Sequence, residues 1–61
     1  GRRLGEIERK EAEKEFGIGQ FYERGGDKAS AAISYRYVVD HFPGTDFADR
    51  AAQRLAELEA K

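Results

Sequence analysis

One neighbouring pair in this sequence, Asp40-His41, has the residue types of an acid–base couple. Adjacent side chains on a helix point about 100° apart, so the two do not face each other. A histidine in the last turn of a helix is accounted for by the negative end of the helix dipole. General acid–base chemistry is therefore not expected there. The carboxylates between Glu6 and Glu15 read as one solvated helix face, in which Glu6 and Lys10 attract at i,i+4 while Glu11 and Glu15 repel. Gly17-Ile18-Gly19 carries half the glycine pattern of a phosphate loop, but no strand precedes it and the third glycine is missing. Close helix–helix packing is the better reading of those glycines. With one histidine and no cysteine, neither a structural zinc site nor a disulfide is expected. The residue inventory predicts no enzyme, no cofactor and no metal.

The elements that carry these residues follow from composition and punctuation. Sixty-one residues hold one small domain at most. Eleven Lys and Arg stand against 12 Asp and Glu, so the chain lacks the basic surplus that nucleic-acid phosphates demand. No apolar run approaches the roughly 20 residues needed to span a bilayer, and no signal peptide is evident. The sequence opens on Gly1-Arg2-Arg3 and not on methionine, and is read as a piece of a longer protein. Charged residues make up 38% and alanine is abundant, which favours surface-charged helices over strands.

Gly25-Gly26 and Pro43-Gly44 divide the chain into three segments, predicted as antiparallel helices over about 3–24, 27–42 and 45–60. Asp27 and Thr45 stand where N-caps belong, and Pro43 disfavours helix in the residue before it. In the second segment Ala31, Tyr35, Val38 and Phe42 recur at helical spacing, with Ala32, Ile33 and Val39 as a second apolar face. Two apolar faces predict a helix sandwiched between two neighbours. The third segment shows a stripe of Ala48, Ala51, Ala52, Leu55 and Leu58. The first is apolar mainly in its second half, and its charged first half is expected to extend as a solvated stalk. A heptad through Leu4 and Ile7 places Glu11 and Lys14 on the seam before Ile18, which argues against a long coiled coil.

One pattern exceeds ordinary helix packing. The tetratricopeptide signature reads W-x2-L-G-x2-Y, then A-x3-F, then P. Here Glu15-x2-Ile18-Gly19-x2-Tyr22 is followed by Ala31-x3-Tyr35 and Pro43. Gly19 and Ala31 are small enough for two helices to cross closely, Tyr22 and Tyr35 are expected to fill the space around the crossing, and Pro43 ends the second helix. Ala52-x2-Leu55-Ala56 repeats the spacing of Glu15-x2-Ile18-Gly19 at a displacement of 37 residues, near the usual period of about 34. The chain is therefore read as a tetratricopeptide-like hairpin, over about 12–44, plus a third helix that caps it or begins another repeat.

The stretches Glu13–Tyr22, Glu23-Arg24-Gly25-Gly26 and Ala31–Phe42, with the Pro43-Gly44-Thr45 turn, resemble the C-terminal repeat of the BamD family of outer-membrane assembly lipoproteins. Tol-Pal coordinator proteins of the periplasm are similar in the same turn. The resemblance implies a periplasmic module of a parent anchored to the outer membrane through a lipidated N-terminal cysteine. Such a module helps deliver or insert β-barrel precursors by contacting other assembly subunits. This sequence has neither that cysteine nor upstream repeats, so what carries over is subunit contact by a terminal repeat.

The first functional expectation is thus a protein-interaction module. Its binding groove is expected on the first helix at Glu13, Phe16, Gln20, Glu23 and Arg24, with Phe16 and Gln20 facing the groove. The competing expectation is self-association, a homodimer through the first helix, because Ile7, Phe16 and Ile18 have no evident partner within the chain.

Overall fold

The computed structural model describes the backbone of residues 3–60 and the side chains of residues 7–60. The chain forms three helices, α1 (Arg3–Arg24), α2 (Lys28–His41) and α3 (Asp46–Glu59). The fold is all-α, and each helix lies within a residue or so of where the breakers and caps place it. Any contact made by the Leu4 side chain lies outside the described residues.

Both connections are short because one residue in each serves two helices. After α1, Gly26 adopts the left-handed conformation, with φ +87°. Its N–H donates to the Glu23 carbonyl at 3.1 Å, and the Asp27 N–H donates to the Tyr22 carbonyl at 2.9 Å. This is a Schellman closure, in which the last carbonyls of a helix find donors beyond its end. Asp27 then turns its carboxylate to the next helix and accepts from the Ser30 N–H at 3.1 Å. That backbone hydrogen bond holds the Asp27 carboxyl below its ordinary range. After α2, Thr45 N–H reaches the Phe42 carbonyl at 3.3 Å, with Pro43 and a positive-φ Gly44 between them. Proline then glycine at these positions is the type II turn chemistry. The Thr45 hydroxyl donates to the Phe42 carbonyl at 2.8 Å and accepts from the Ala48 N–H at 3.1 Å, closing α2 and capping α3 together.

The core consists of Ala12, Phe16, Ala31, Tyr35, Val38, Phe42, Ala48 and Ala51. The α2 stripe Ala31, Tyr35, Val38 and Phe42 is buried throughout, and α2 lies between α1 and α3 as expected. Three sequence expectations need correction. The second apolar face of α2 is packed only in part: Val39 is half-buried against the core and Ala32 is half-buried, but Ile33 is exposed. On α3 the seam runs through Ala48, Ala51, Leu55 and Leu58 and leaves Ala52 exposed. A 3-4-3 spacing already completes that seam, and Ala52 sits about 100° beyond Ala51. Packing also reaches further along α1 than a stalk over its whole first half allows, since Ala12 is fully buried.

Gly19 marks where α1 crosses α2. A Cβ placed there would lie 2.6 Å from Tyr35 Cε1, too close for the two to coexist. The ring has little room to yield, being fully buried with its hydroxyl hydrogen-bonded at 2.8 Å. At Gly17 an added Cβ meets nothing within 4 Å. The two glycines therefore respond with opposite sign to one substitution. Gly19→Ala is expected to overpack the crossing at about 1–3 kcal/mol, a cost that exceeds the gain of up to about 1 kcal/mol in helix propensity. Gly17→Ala is expected to gain that propensity without the clash. Urea midpoints of the two variants measure it, and equal shifts in the same direction would contradict the close crossing.

Candidate functional site

Arg36 of α2 donates to Glu59 of α3 at 3.3 Å on the exposed surface, and a second polar set, more deeply placed, takes one side chain from each helix. Glu23 of α1 accepts the Tyr35 hydroxyl of α2 at 2.8 Å on Oε1. Arg54 of α3 donates through Nε to the same Oε1 at 3.3 Å, and its Nη2 donates to Glu23 Oε2. Arg54 also donates through Nη1 to Glu57 at 2.5 Å, one turn further along α3. One carboxylate thus ties all three helices together. A two-pronged guanidinium–carboxylate contact fixes direction as well as distance.

The electrostatics follow from this geometry. The Arg54 hydrogen bonds hold the Glu23 carboxyl below its ordinary range, assisted by the Tyr35 hydroxyl and the charges of Arg54 and Lys28 against a smaller opposing effect of burial. Burial pushes the Tyr35 phenol up to about 12, and the adjacent Glu23 carboxylate adds to the rise. Glu23 raises Arg54 still further, so the guanidinium stays charged. Nothing in this set is poised to exchange a proton near neutrality. It is a clasp, and no buried side-chain polar atom lacks a partner among the described residues.

Two separate open depressions line up along the α1–α3 side as a broken trench, and the clasp lies in the first of them. Gln20, Glu23, Arg24 and Arg54 line an open depression of about 430 Å³. Arg9, Lys10, Glu13 and Phe47 line a second, of about 550 Å³. Phe16 and Phe47 pack between the two helices with ring centroids 5.7 Å apart. Arg9 approaches Asp46 at 3.9 Å across the far end.

Four of the five expected groove residues, Glu13, Gln20, Glu23 and Arg24, line this trench. Phe16 does not face a groove. It is only 7% exposed, tilted against Tyr35 at 5.4 Å and against Phe47. Its partners come from inside the chain, which also removes it from the unpartnered surface expected alongside Ile7 and Ile18. Of the repeat-signature residues, Gly19, Ala31 and Tyr35 are buried at the crossing, and Ile18 is half-buried. Pro43 is exposed in its turn. Tyr22 does not fill the crossing: it is exposed and lies edge-on to Phe21. Two residues that shape the trench escaped the sequence reading, Arg54 and Phe47. A buried tyrosine hydroxyl needs a partner, and that rule applied to Tyr35 is the signal that leads to Glu23 and on to Arg54.

His41 stacks on Tyr37 with centroids 4.1 Å apart, one turn back along α2. Among the described residues no cluster of three or more His, Asp or Glu side chains is arranged to hold a metal, and no helix is long and apolar enough to cross a membrane. No protein-family model, no curated protein and no solved structure matches the chain.

The clasp makes stability depend on pH at both extremes. Folded Glu23 binds its proton more weakly than unfolded Glu23, so its contribution is present above roughly 4.3, the ordinary glutamate value, and fades as pH falls through the lowered folded value. Tyr35 has the opposite sign. Its contribution is present below the ordinary tyrosine value of about 10 and is lost as pH rises through about 12. Urea midpoints across pH should therefore fall at both ends. Glu23→Gln should flatten the acid limb and Tyr35→Phe the alkaline limb. Acid limbs that superimpose for the parent chain and Glu23→Gln would show that the ion pair contributes nothing.

Proposed function

We propose that this chain is a non-catalytic protein-interaction module, a tetratricopeptide-like unit over about 12–44 followed by a helix that caps it or opens the next repeat. The supporting observation is the trench between α1 and α3. In stacked helical pairs the first helices of successive units line one continuous face. Here α1 and α3, separated by α2 in sequence, lie side by side, with Gln20 and Arg24 in one depression and Lys10 and Glu13 in a second along the same side. A trench of mixed charge, clasped at its base, suits an extended polypeptide or a helix edge better than a small apolar ligand.

The resemblance to the BamD family supplies the context of the proposal. The parent is a periplasmic scaffold associated with the outer membrane, and this unit contacts another subunit of the β-barrel assembly machinery. A Tol-Pal-type periplasmic repeat protein is the alternative parent. No nucleic acid partner and no cofactor enter the proposal.

The repeat reading is tested by extending it. A consensus second repeat helix appended after α3 has a prepared surface to dock on only if α3 is a repeat helix. Docking should raise the thermal midpoint by roughly 10 °C or more, since each kcal/mol is worth about 4–8 °C in a domain of this size. An unchanged midpoint would leave a plain three-helix bundle and sink the repeat reading. In the full-length protein, a photo-cross-linker at Gln20 should capture a neighbouring assembly subunit. One at Ile33, exposed on α2, should not.

A further inference from the structure

The side of α1 turned away from α2 and α3 carries a feature that the trench does not use. Ile7, Glu11, Lys14, Ile18 and Phe21 recur at intervals of 4, 3, 4 and 3 residues, the spacing of a heptad seam. They form a stripe roughly 150° around the helix from Ala12, Phe16, Gly19 and Glu23, which face the other two helices. Ile7 is 58% exposed and Phe21 71% exposed, Glu11 and Lys14 are exposed, and Ile18 is half-buried. Large apolar side chains at both ends of a charged centre, on one helix face, are an unsatisfied seam.

The charges in its middle choose the occupant. A parallel copy would set Glu11 on Glu11 and Lys14 on Lys14, which is repulsive twice over. An antiparallel copy, related by a two-fold axis passing between Ala12 and Glu13, reverses the order. Ile7 then meets the second copy's Ile18 and Glu11 the second copy's Lys14, each pair occurring twice, so these four layers are apolar on apolar or acid on base, while Phe21 lies beyond them opposite position 4 of the second copy. The two central charges that argue against a coiled coil for a helix alone become the complementary layers of a self-paired one. Gly17 borders one edge of the seam beside Lys10 and lets backbones approach. On the other edge Glu8 and the second copy's Glu15 repel, which keeps the pairing reversible.

We propose that this chain forms an antiparallel homodimer through the outer face of α1, in the register that sets Glu11 of each copy against Lys14 of the other. The pairing uses a different side of α1 from the trench, with Lys10 on the border between the two, and does not rest on the repeat reading. A consensus helix appended to α3 tests that reading without touching this face, so the two fail separately. The seam is short, which places the dimer among weak, transient interfaces.

Sedimentation equilibrium of the 61-residue chain between about 10 μM and 1 mM at low salt reads the proposal directly. A monomer–dimer equilibrium is expected. Lys14→Glu turns both central layers into acid on acid and should weaken dimerisation at least about tenfold. The double variant Glu11→Lys/Lys14→Glu restores complementarity only in the antiparallel register, and should return the Kd to within about threefold of the parent value. Both positions are exposed, so circular dichroism should show unchanged helicity in each variant. A parent chain that is monomeric at about 1 mM overturns the proposal. So does a Lys14→Glu variant that dimerises as well as the parent, and so does a double variant that stays as weak as the single one.

Discussion

The structure depends most on the Tyr35 ring. It is fully buried in a chain of 61 residues, which offers little apolar volume to share out. A ring at that place leaves no room for a side chain opposite, and α1 meets it with Gly19. Its flank is covered by Phe16 at 5.4 Å. Its hydroxyl cannot be left without a partner at that depth, and Glu23 accepts it. The carboxylate placed there is itself only partly solvated, and Arg54 answers it from α3. Each step is forced by the one before, so one aromatic residue on the central helix sets the position of both neighbours. The side-chain hydroxyl acts at the scale of the whole domain because, among the described residues, the other polar contacts between helices, Arg36–Glu59 and Arg9–Asp46, are exposed at the surface.

Much of this was legible in the residues, and the part that was not has a physical cause. The helix bounds could be read because Gly26, Asp27, Pro43 and Thr45 act through backbone conformation and neighbouring amides, all local in sequence. The α2 stripe could be read because Ala31, Tyr35, Val38 and Phe42 keep helical period on a helix packed from two sides. Phe16 was placed on a surface because periodicity cannot say which helix a side chain meets. Its ring finds Phe47, 31 residues away, a contact visible only once α3 has folded back alongside α1. Arg54 is hidden from periodicity for the same reason. Its chemistry comes from Glu23, and nothing near it in sequence announces that. Tyr22 and Tyr35 occupy parallel places in the repeat signature, yet only Tyr35 is buried, because only it projects from the helix that has neighbours on both sides.

Helix α1 carries three distinct faces, and the division of labour among them explains the high charge of its first half. Ala12, Phe16, Gly19 and Glu23 serve the core. Glu13, Gln20 and Arg24 serve the trench. Ile7, Glu11, Lys14, Ile18 and Phe21 serve the outer seam. A helix asked to present a surface on every side cannot be solvated on every side unless charge separates those surfaces. Glu8 and Glu15 lie between the core and the seam, and Lys10 lies on the border of seam and trench, keeping the apolar side chains of one face from merging with those of the next. The same residues that make the helix look merely soluble in a composition count therefore keep its contacts distinct. The proposed binding face and the proposed self-association face can then share one helix, because occupying the trench would leave the seam open, and pairing along the seam would leave Gln20 and Arg24 exposed.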